Sequence, residues 1–386
     1  MTNKPSKPIG LFDIPSNQKV IGQEKFLKAF EKILNHGGYA QGPECAELDT
    51  QLANYSGVKH CATCSSGTDA LILGLMAWDV KAGDAVFVPS FTFVATAEAV
   101  AFLGATPVFV DSNPETWNMD VADLKKAIAE VKSEGKLTPK AIISVDIFGN
   151  PANYSEIHAI AKENNMKYMS DAAQSYGAVY NSKKVGHADI ADITATSFYP
   201  TKPLGCYGDG GAVFTNCDEE LSIIKSCRVH GSNPEDKYDN ARLGMTARMD
   251  SFQAAVLIEK LKVFDEELSN REKIGRYYEA NLSSAFQTQK VLDNCVSAYA
   301  IYTILVDNRA ELQDHLKECG IPFANFYPRP VHTQTAYTHY NKRSLPVCEK
   351  MASRVLSIPM HPYLTKEEQD YIIECLNSFA SKTKAA

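Results

Sequence analysis

No stretch of this sequence approaches the roughly 18 apolar residues that cross a bilayer as a helix, so a membrane span is not expected. No block of like charge appears either. The formal net charge is −7, from 39 Lys and Arg against 46 Asp and Glu. A nucleic-acid surface needs a basic stripe that this chain lacks, so neither nucleic acid nor membrane is an expected partner. No charged segment followed by an apolar one opens the chain, and no signal peptide is expected. The ten cysteines form no framework. Cys61 and Cys64 make one C-x-x-C, but no second pair follows at zinc spacing, so no metal site is expected. The thiols read as small buried hydrophobes of a reduced, cytoplasmic protein. Cys206, close to Lys202, is read the same way, with oxidation as the alternative.

What remains is an ordinary globular composition: 386 residues, 45% hydrophobic and 22% charged. That length suggests two or three domains. From about His60 short apolar runs alternate with amphipathic stretches, the pattern of βα units and a mostly parallel sheet. Expected strands are 85–88, 107–110, 141–145, 167–169, 193–197 and 211–215. Helices are expected at 92–103 and 157–164. Near Met249 the pattern changes. One long helix is expected over 250–281, with Phe252, Ala255, Val256, Ile258 and Leu261 at helical spacing. A smaller α+β region follows, with strands expected at 298–306 and 323–327 and a helix at 366–380. The expected division is a large α/β domain over 1–265 and a small domain over 266–386.

Lys202 carries the most information. It lies in Ser197-Phe198-Tyr199-Pro200-Thr201-Lys202-Pro203-Leu204-Gly205, between an apolar strand and a glycine-rich turn. Desolvation there disfavours the ammonium form and readies the amine for imine formation with a carbonyl cofactor. Three other segments lie just past strands. Ser65-Ser66-Gly67-Thr68-Asp69 opens a helix and exposes backbone N–H groups that attract phosphate. An aromatic of Pro89-Ser90-Phe91-Thr92-Phe93-Val94-Ala95-Thr96, at a strand exit, offers a flat wall for an aromatic ring. Asp171, at a strand's carboxyl end, can keep a pyridine nitrogen protonated. Ser197 can add a hydroxyl to the phosphate. Taken singly, each has a plain reading as a cap, a core aromatic or a loop residue. Together, and in this order, they suit pyridoxal 5′-phosphate.

These segments, with Gly38-Tyr39-Ala40-Gln41-Gly42-Pro43, Asp171-Ala172-Ala173-Gln174 and Arg248-Met249-Asp250-Ser251-Phe252-Gln253, resemble the DegT/DnrJ/EryC1/StrS family of sugar aminotransferases. The resemblance spans about 33–376 and implies the aspartate-aminotransferase-like fold of type I pyridoxal-phosphate enzymes. It implies that Lys202 forms the imine and shuttles the proton, that Asp171 pairs with the ring nitrogen and that Gln174 lies at the phenolic oxygen. Phe93 would stack on the ring, and Gly67, Thr68 and Ser197 would bind phosphate. It implies a homodimer with the site at the interface. An asparagine of the partner subunit often reaches the phosphate in such enzymes; Thr246 stands at that position here. Substrate contacts are expected from Tyr39, Arg228, His230, Tyr327, Arg329 and His332.

The run after Lys202 is most similar to the branch that aminates carbon 3 of nucleotide-linked ketosugars. The implied reaction moves an amino group from L-glutamate to a UDP-linked 2-acetamido-3-keto sugar or uronic acid, for bacterial surface polysaccharide such as O-antigen. The alternatives are amination at carbon 4, a free keto or aldehydo sugar acid as acceptor, and a sugar dehydratase on the same fold. A regulator without turnover is a further rival. Dehydratase relatives replace the lysine with histidine, so Lys202 favours transamination.

Overall fold

The computed structural model describes residues 4–236 and 238–385, with side chains through Ser381. Seven strands form the main sheet: β1 His60–Cys64, β2 Asp84–Pro89, β3 Thr106–Val110, β4 Thr138–Val145, β5 Lys167–Asp171, β6 Ile193–Ser197 and β7 Gly211–Thr215. Their spatial order is β1-β7-β6-β5-β4-β2-β3. Neighbours from β3 through β6 pair in parallel, and β7 runs antiparallel to both β6 and β1. The mixed α/β fold expected from the alternating pattern is therefore present.

Successive residues of a strand face opposite sides, and both sides of this sheet are buried. Val86, Val88, Ile143, Met169 and Ile193 join one core, covered by the helix Gly67–Ala77. Ala85, Phe87, Ile142 and Tyr168 join the other, with Leu124 and Ile157 from two helices. A third core is built from residues past 274, among them Tyr302, Ile304, Leu316, Leu356 and Leu376, with Ile9 from the start of the chain. Residues past 265 also reach the first core, through Val331, Leu345 and Val355.

Three expected elements differ. The single helix over 250–281 is two, Ser251–Leu261 and Phe264–Asn281. No proline or glycine marks the break. The buried Phe264 ring instead packs against Tyr55 and Tyr176, at centroid distances of 5.7 and 6.0 Å. Of the strand expected over 298–306, only Tyr302–Leu305 joins a ladder. The preceding amides go elsewhere: Ala298 N–H donates to the Gly149 carbonyl at 2.9 Å. The stretch 323–327 is no strand beyond one bridge between Ala324 and Ser357. No helix among the described residues is long and apolar enough to cross a membrane.

Candidate active site

The carboxyl ends of β5 and β6 lie side by side, and β7 starts at the same edge, where Gly211 pairs with both Cys64 and Ser197. This register brings the start of the helix Gly67–Ala77 next to Ser197. Ser66 caps that helix by accepting the Asp69 N–H at 3.0 Å. The Gly67 and Thr68 amides belong to the first turn and have no intrahelical acceptor. Glycine is required at 67: a Cβ there would stand 2.6 Å from Ser197 Cβ.

After β6 the chain turns tightly. Lys202 N–H donates to the Tyr199 carbonyl at 2.8 Å, and Cys206 N–H returns to the Phe198 carbonyl at 2.7 Å. A Cβ at Gly205 would lie 2.6 Å from the Pro200 oxygen, so the turn closes only over glycine. Cys206 itself is buried, with Sγ 3.0 Å from the Phe198 carbonyl. The Lys202 amine is held inside this turn. Desolvation pushes its pKa down, and the charge of Asp171 opposes the shift.

Asp171 ends β5 in a buried position. Its Oδ2 accepts from Thr96 Oγ1 at 2.8 Å and its Oδ1 from the Ala173 N–H at 3.1 Å. Burial raises its pKa, while these hydrogen bonds and Lys202 favour the charged form. Gln174 is fixed at both ends of its amide. Oε1 accepts from the Phe148 N–H at 2.7 Å, and Nε2 donates to the Tyr327 hydroxyl at 3.2 Å. Burial pushes the Tyr327 phenol up. Its ring faces Phe93 at 6.1 Å.

Eight of the residues expected from sequence thus line one cavity of about 530 Å³: Gly67, Thr68, Phe93, Asp171, Gln174, Ser197, Lys202 and Tyr327. The donor set fits pyridoxal phosphate. Free amides and a hydroxyl suit its phosphate, a buried carboxylate its ring nitrogen, aromatic side chains its face and a desolvated amine its aldehyde.

Six expected residues do not line this cavity. Arg228 is not on this lining: it is buried, and its Nη1 donates to the Thr63 carbonyl at 2.5 Å, which turns that end of the guanidinium toward β1. Nor is His332. It is buried between Ser90 Oγ, 2.6 Å from Nδ1, and Glu349 Oε1, 3.2 Å from Nε2. Tyr39, His230, Thr246 and Arg329 lie exposed. Tyr39 stacks on Phe252 at 6.2 Å, and Thr246 Oγ1 meets His230 Nε2 at 2.6 Å. Sequence reasoning missed Thr96, although it closes the segment that carries Phe93. It also missed Phe12 and Ile301, which line the cavity from distant parts of the chain.

The family model for DegT/DnrJ/EryC1/StrS aminotransferases matches residues 20–377. The chain belongs to this family. It is 43% identical to the UDP-2-acetamido-2-deoxy-3-oxo-D-glucuronate aminotransferase of Pseudomonas aeruginosa, over 90% of this chain and 94% of that one. It is 38% identical to a pleiotropic regulatory protein of Geobacillus stearothermophilus, over 92% of this chain and 94% of that one. The crystal structure of a DegT DnrJ EryC1 StrS aminotransferase from Brucella abortus superposes with a TM-score of 0.93 at 45% identity. The match covers 96% of this chain and 99% of that one. This aminotransferase is accordingly a pyridoxal-phosphate enzyme of the transaminase class.

Proposed function

We propose that this aminotransferase moves an amino group from L-glutamate to carbon 3 of a UDP-linked 2-acetamido-3-keto sugar or uronic acid destined for a bacterial surface polysaccharide. One observation carries the reading. The Lys202 amine, its pKa lowered, shares a cavity with a buried carboxylate, Asp171, in a chain so similar to a 3-oxo-glucuronate aminotransferase. A regulator without turnover has no need of a desolvated amine.

Bound pyridoxal phosphate supplies an electron sink for the pair left when a C–H proton is removed. Asp171 holds positive charge at the ring nitrogen, and the Thr96 hydrogen bond favours its ionised form and aims it. The amides of Gly67 and Thr68 and the Ser197 hydroxyl anchor the phosphate. Phe93 and Tyr327 wall the cavity, and Gln174 ties Tyr327 to the sheet edge. Lys202 Nζ, whose pKa burial lowers, takes the proton from the amine-bearing carbon of glutamate. It moves a proton in the opposite sense at carbon 3 of the sugar. Two half-reactions sharing one site predict ping-pong kinetics.

A second copy of the chain completes the site in this proposal. The exposed Tyr39, His230, Thr246 and Arg329 await such a neighbour. Tyr238 and Leu243, in the same 230–246 segment, are 91% and 90% exposed, apolar surface that a homodimer would cover. All ten cysteines are free thiols, which supports a cytoplasmic site of action.

The test is a panel of 3-keto and 4-keto sugars, with and without UDP, offered with L-glutamate. The expected product is a 3-amino UDP-sugar, formed with one 2-oxoglutarate. Amine from the free sugars or the 4-keto compounds alone would overturn the substrate assignment. No 2-oxoglutarate in a single turnover would overturn the enzyme class.

A further inference from the structure

Outside the cavity lining, two cysteines are held against one imidazole. Cys319 ends the helix Arg309–Cys319, and Cys375 lies in the helix Lys366–Ala385. The helices touch within the third core, which takes Leu312 and Leu316 from one and Ile372 and Leu376 from the other. His315, one turn before Cys319, places Nε2 at 2.9 Å from the Cys375 carbonyl oxygen and 3.8 Å from Cys319 Sγ. A carbonyl only accepts, so Nε2 carries a hydrogen; Ser378 Oγ at 3.1 Å is a second neighbour of this nitrogen, and the Cys319 sulfur is the third. From the other helix, the Tyr371 hydroxyl donates to the Cys319 carbonyl at 2.8 Å. The two thiols lie near enough for Cys319 to act electrostatically on Cys375. Cys375 is buried, and Cys319 is partly open to solvent.

We propose that Cys319 and Cys375 are a modification site that closes to a reversible disulfide with hydrogen peroxide. The accessible sulfur reacts first. Cys319 thiolate attacks one peroxide oxygen, the O–O bond breaks, and hydroxide leaves and takes up the thiol proton as water. The Cys375 sulfur then attacks the resulting sulfenic acid, the S–S bond forms, and its proton and the S–OH group depart as a second water. Two thiols are oxidised by two electrons in all, and one peroxide is reduced to two waters. His315 Nε2, 3.8 Å from Cys319 Sγ, offers a hydrogen-bond partner to charge that develops on this sulfur during the attack. Burial and the neighbouring Cys319 push the Cys375 thiol up to about 12, which suits it to the second step rather than the first. The bond would tie the helix Arg309–Cys319 to the helix Lys366–Ala385 across a long intervening loop and so constrain the unfolded chain. The proposal does not rest on the assigned substrate.

The experiment treats the full-length protein with hydrogen peroxide, alkylates remaining thiols and maps the peptides by mass spectrometry. The expected result is a Cys319–Cys375 linked peptide, loss of two of the ten thiols and a raised Tm, all reversed by dithiothreitol. Cys319→Ser and Cys375→Ser should each abolish the link, Cys217→Ser should leave it, and His315→Gln should slow it by about tenfold. A sulfinic acid at Cys319 without the link, a link to any other cysteine, or no change at either sulfur would overturn the proposal. The wild-type map decides alone where a variant does not fold.

Discussion

His332 Nδ1 lies 2.6 Å from Ser90 Oγ, and the His332 backbone N–H donates to the same oxygen at 3.2 Å. The Val331 N–H adds a bond to the Ser90 carbonyl at 2.9 Å. The hydroxyl therefore donates to Nδ1, and Nε2–H faces Glu349, a tautomer assigned from this network. Ser90 precedes the segment of Phe93, and His332 follows the segment of Tyr327, so the contact latches two walls of the cavity together. His332→Ala would leave the buried Ser90 O–H without its acceptor, although the 332 backbone N–H still donates to its oxygen, a loss of about 1–3 kcal/mol. The urea midpoint should fall and KM for the sugar should rise, with His332→Asn restoring part of both because its amide oxygen can accept from Ser90. Full stability with lost turnover would instead put the imidazole on the substrate.

Thr96→Val removes the hydrogen bond to Asp171 at nearly constant volume, together with a longer contact to Thr92 Oγ1 at 3.2 Å. Thr96 Oγ1 donates to Asp171 Oδ2, and this bond lowers a carboxyl pKa that burial raises. Its removal pushes the Asp171 pKa higher still, so the ionised form needed at the ring nitrogen appears only at higher pH. The acidic limb of the kcat/KM profile should move upward. Activity at neutral pH should fall by about tenfold, since a hydrogen bond to a charged group contributes about 1.5–3 kcal/mol. An unmoved acidic limb would mean that Asp171 does not control that ionisation.

Legibility from sequence follows distance along the chain. The strands of the main sheet were readable because each is a short apolar run with its own turn. Lys202, Asp171 and Gly67 were readable because each sits directly after such a run, where the fold gathers strand ends. Thr96 was within reach, yet its partner lies 75 residues away. Arg228 and His332 were read as pocket groups because a loop position does not reveal which way a polar side chain faces. Their acceptors, Thr63 and Ser90, are 165 and 242 residues distant. The break before Phe264 was hidden for the same reason, since tertiary packing against Tyr55 and Tyr176 makes it, and no local breaker does.

Gly67→Ala tests the phosphate cradle. The added methyl would sit 2.6 Å from Ser197 Cβ, on a wall of the cavity. The strand end or the helix start must shift, and the amides lose their aim. Pyridoxal-phosphate binding, followed by absorbance titration, should weaken by about tenfold or more, roughly 1.4 kcal/mol per decade. Adding Ser197→Gly removes the obstructing Cβ together with the hydroxyl assigned to the phosphate, so the double variant is compared with Ser197→Gly alone and should bind as well as that single variant. Weaker binding by the double variant would place the damage in the backbone rather than in this contact.

Asp146 gives a prediction for stability against pH. It is fully buried, and its carboxylate accepts from the Ala152 N–H at 2.9 Å, from Ser175 Oγ at 2.5 Å and from the Tyr154 hydroxyl. Desolvation outweighs these bonds, and the nearby Asp171 adds to it, so the acid is held up to about 7 from an ordinary value of 3.8. Below 3.8 the folded and unfolded chains both keep this proton, and its contribution to stability is complete. Between 3.8 and about 7 the unfolded chain has lost the proton that the folded one retains, so this stability declines as pH rises. Above that window both are ionised and the decline stops. The loss across the window is on the order of 4 kcal/mol. Asp146→Asn keeps an acceptor for the Ala152 N–H, while the Ser175 and Tyr154 hydroxyls can rotate to accept from its amide. It has no proton to lose, so in urea unfolding at a series of pH values the variant should gain on the wild type across this window and hold that gain above it. Parallel curves for the two proteins would show that Asp146 titrates alike in the folded and unfolded chains, with its three donors balancing burial.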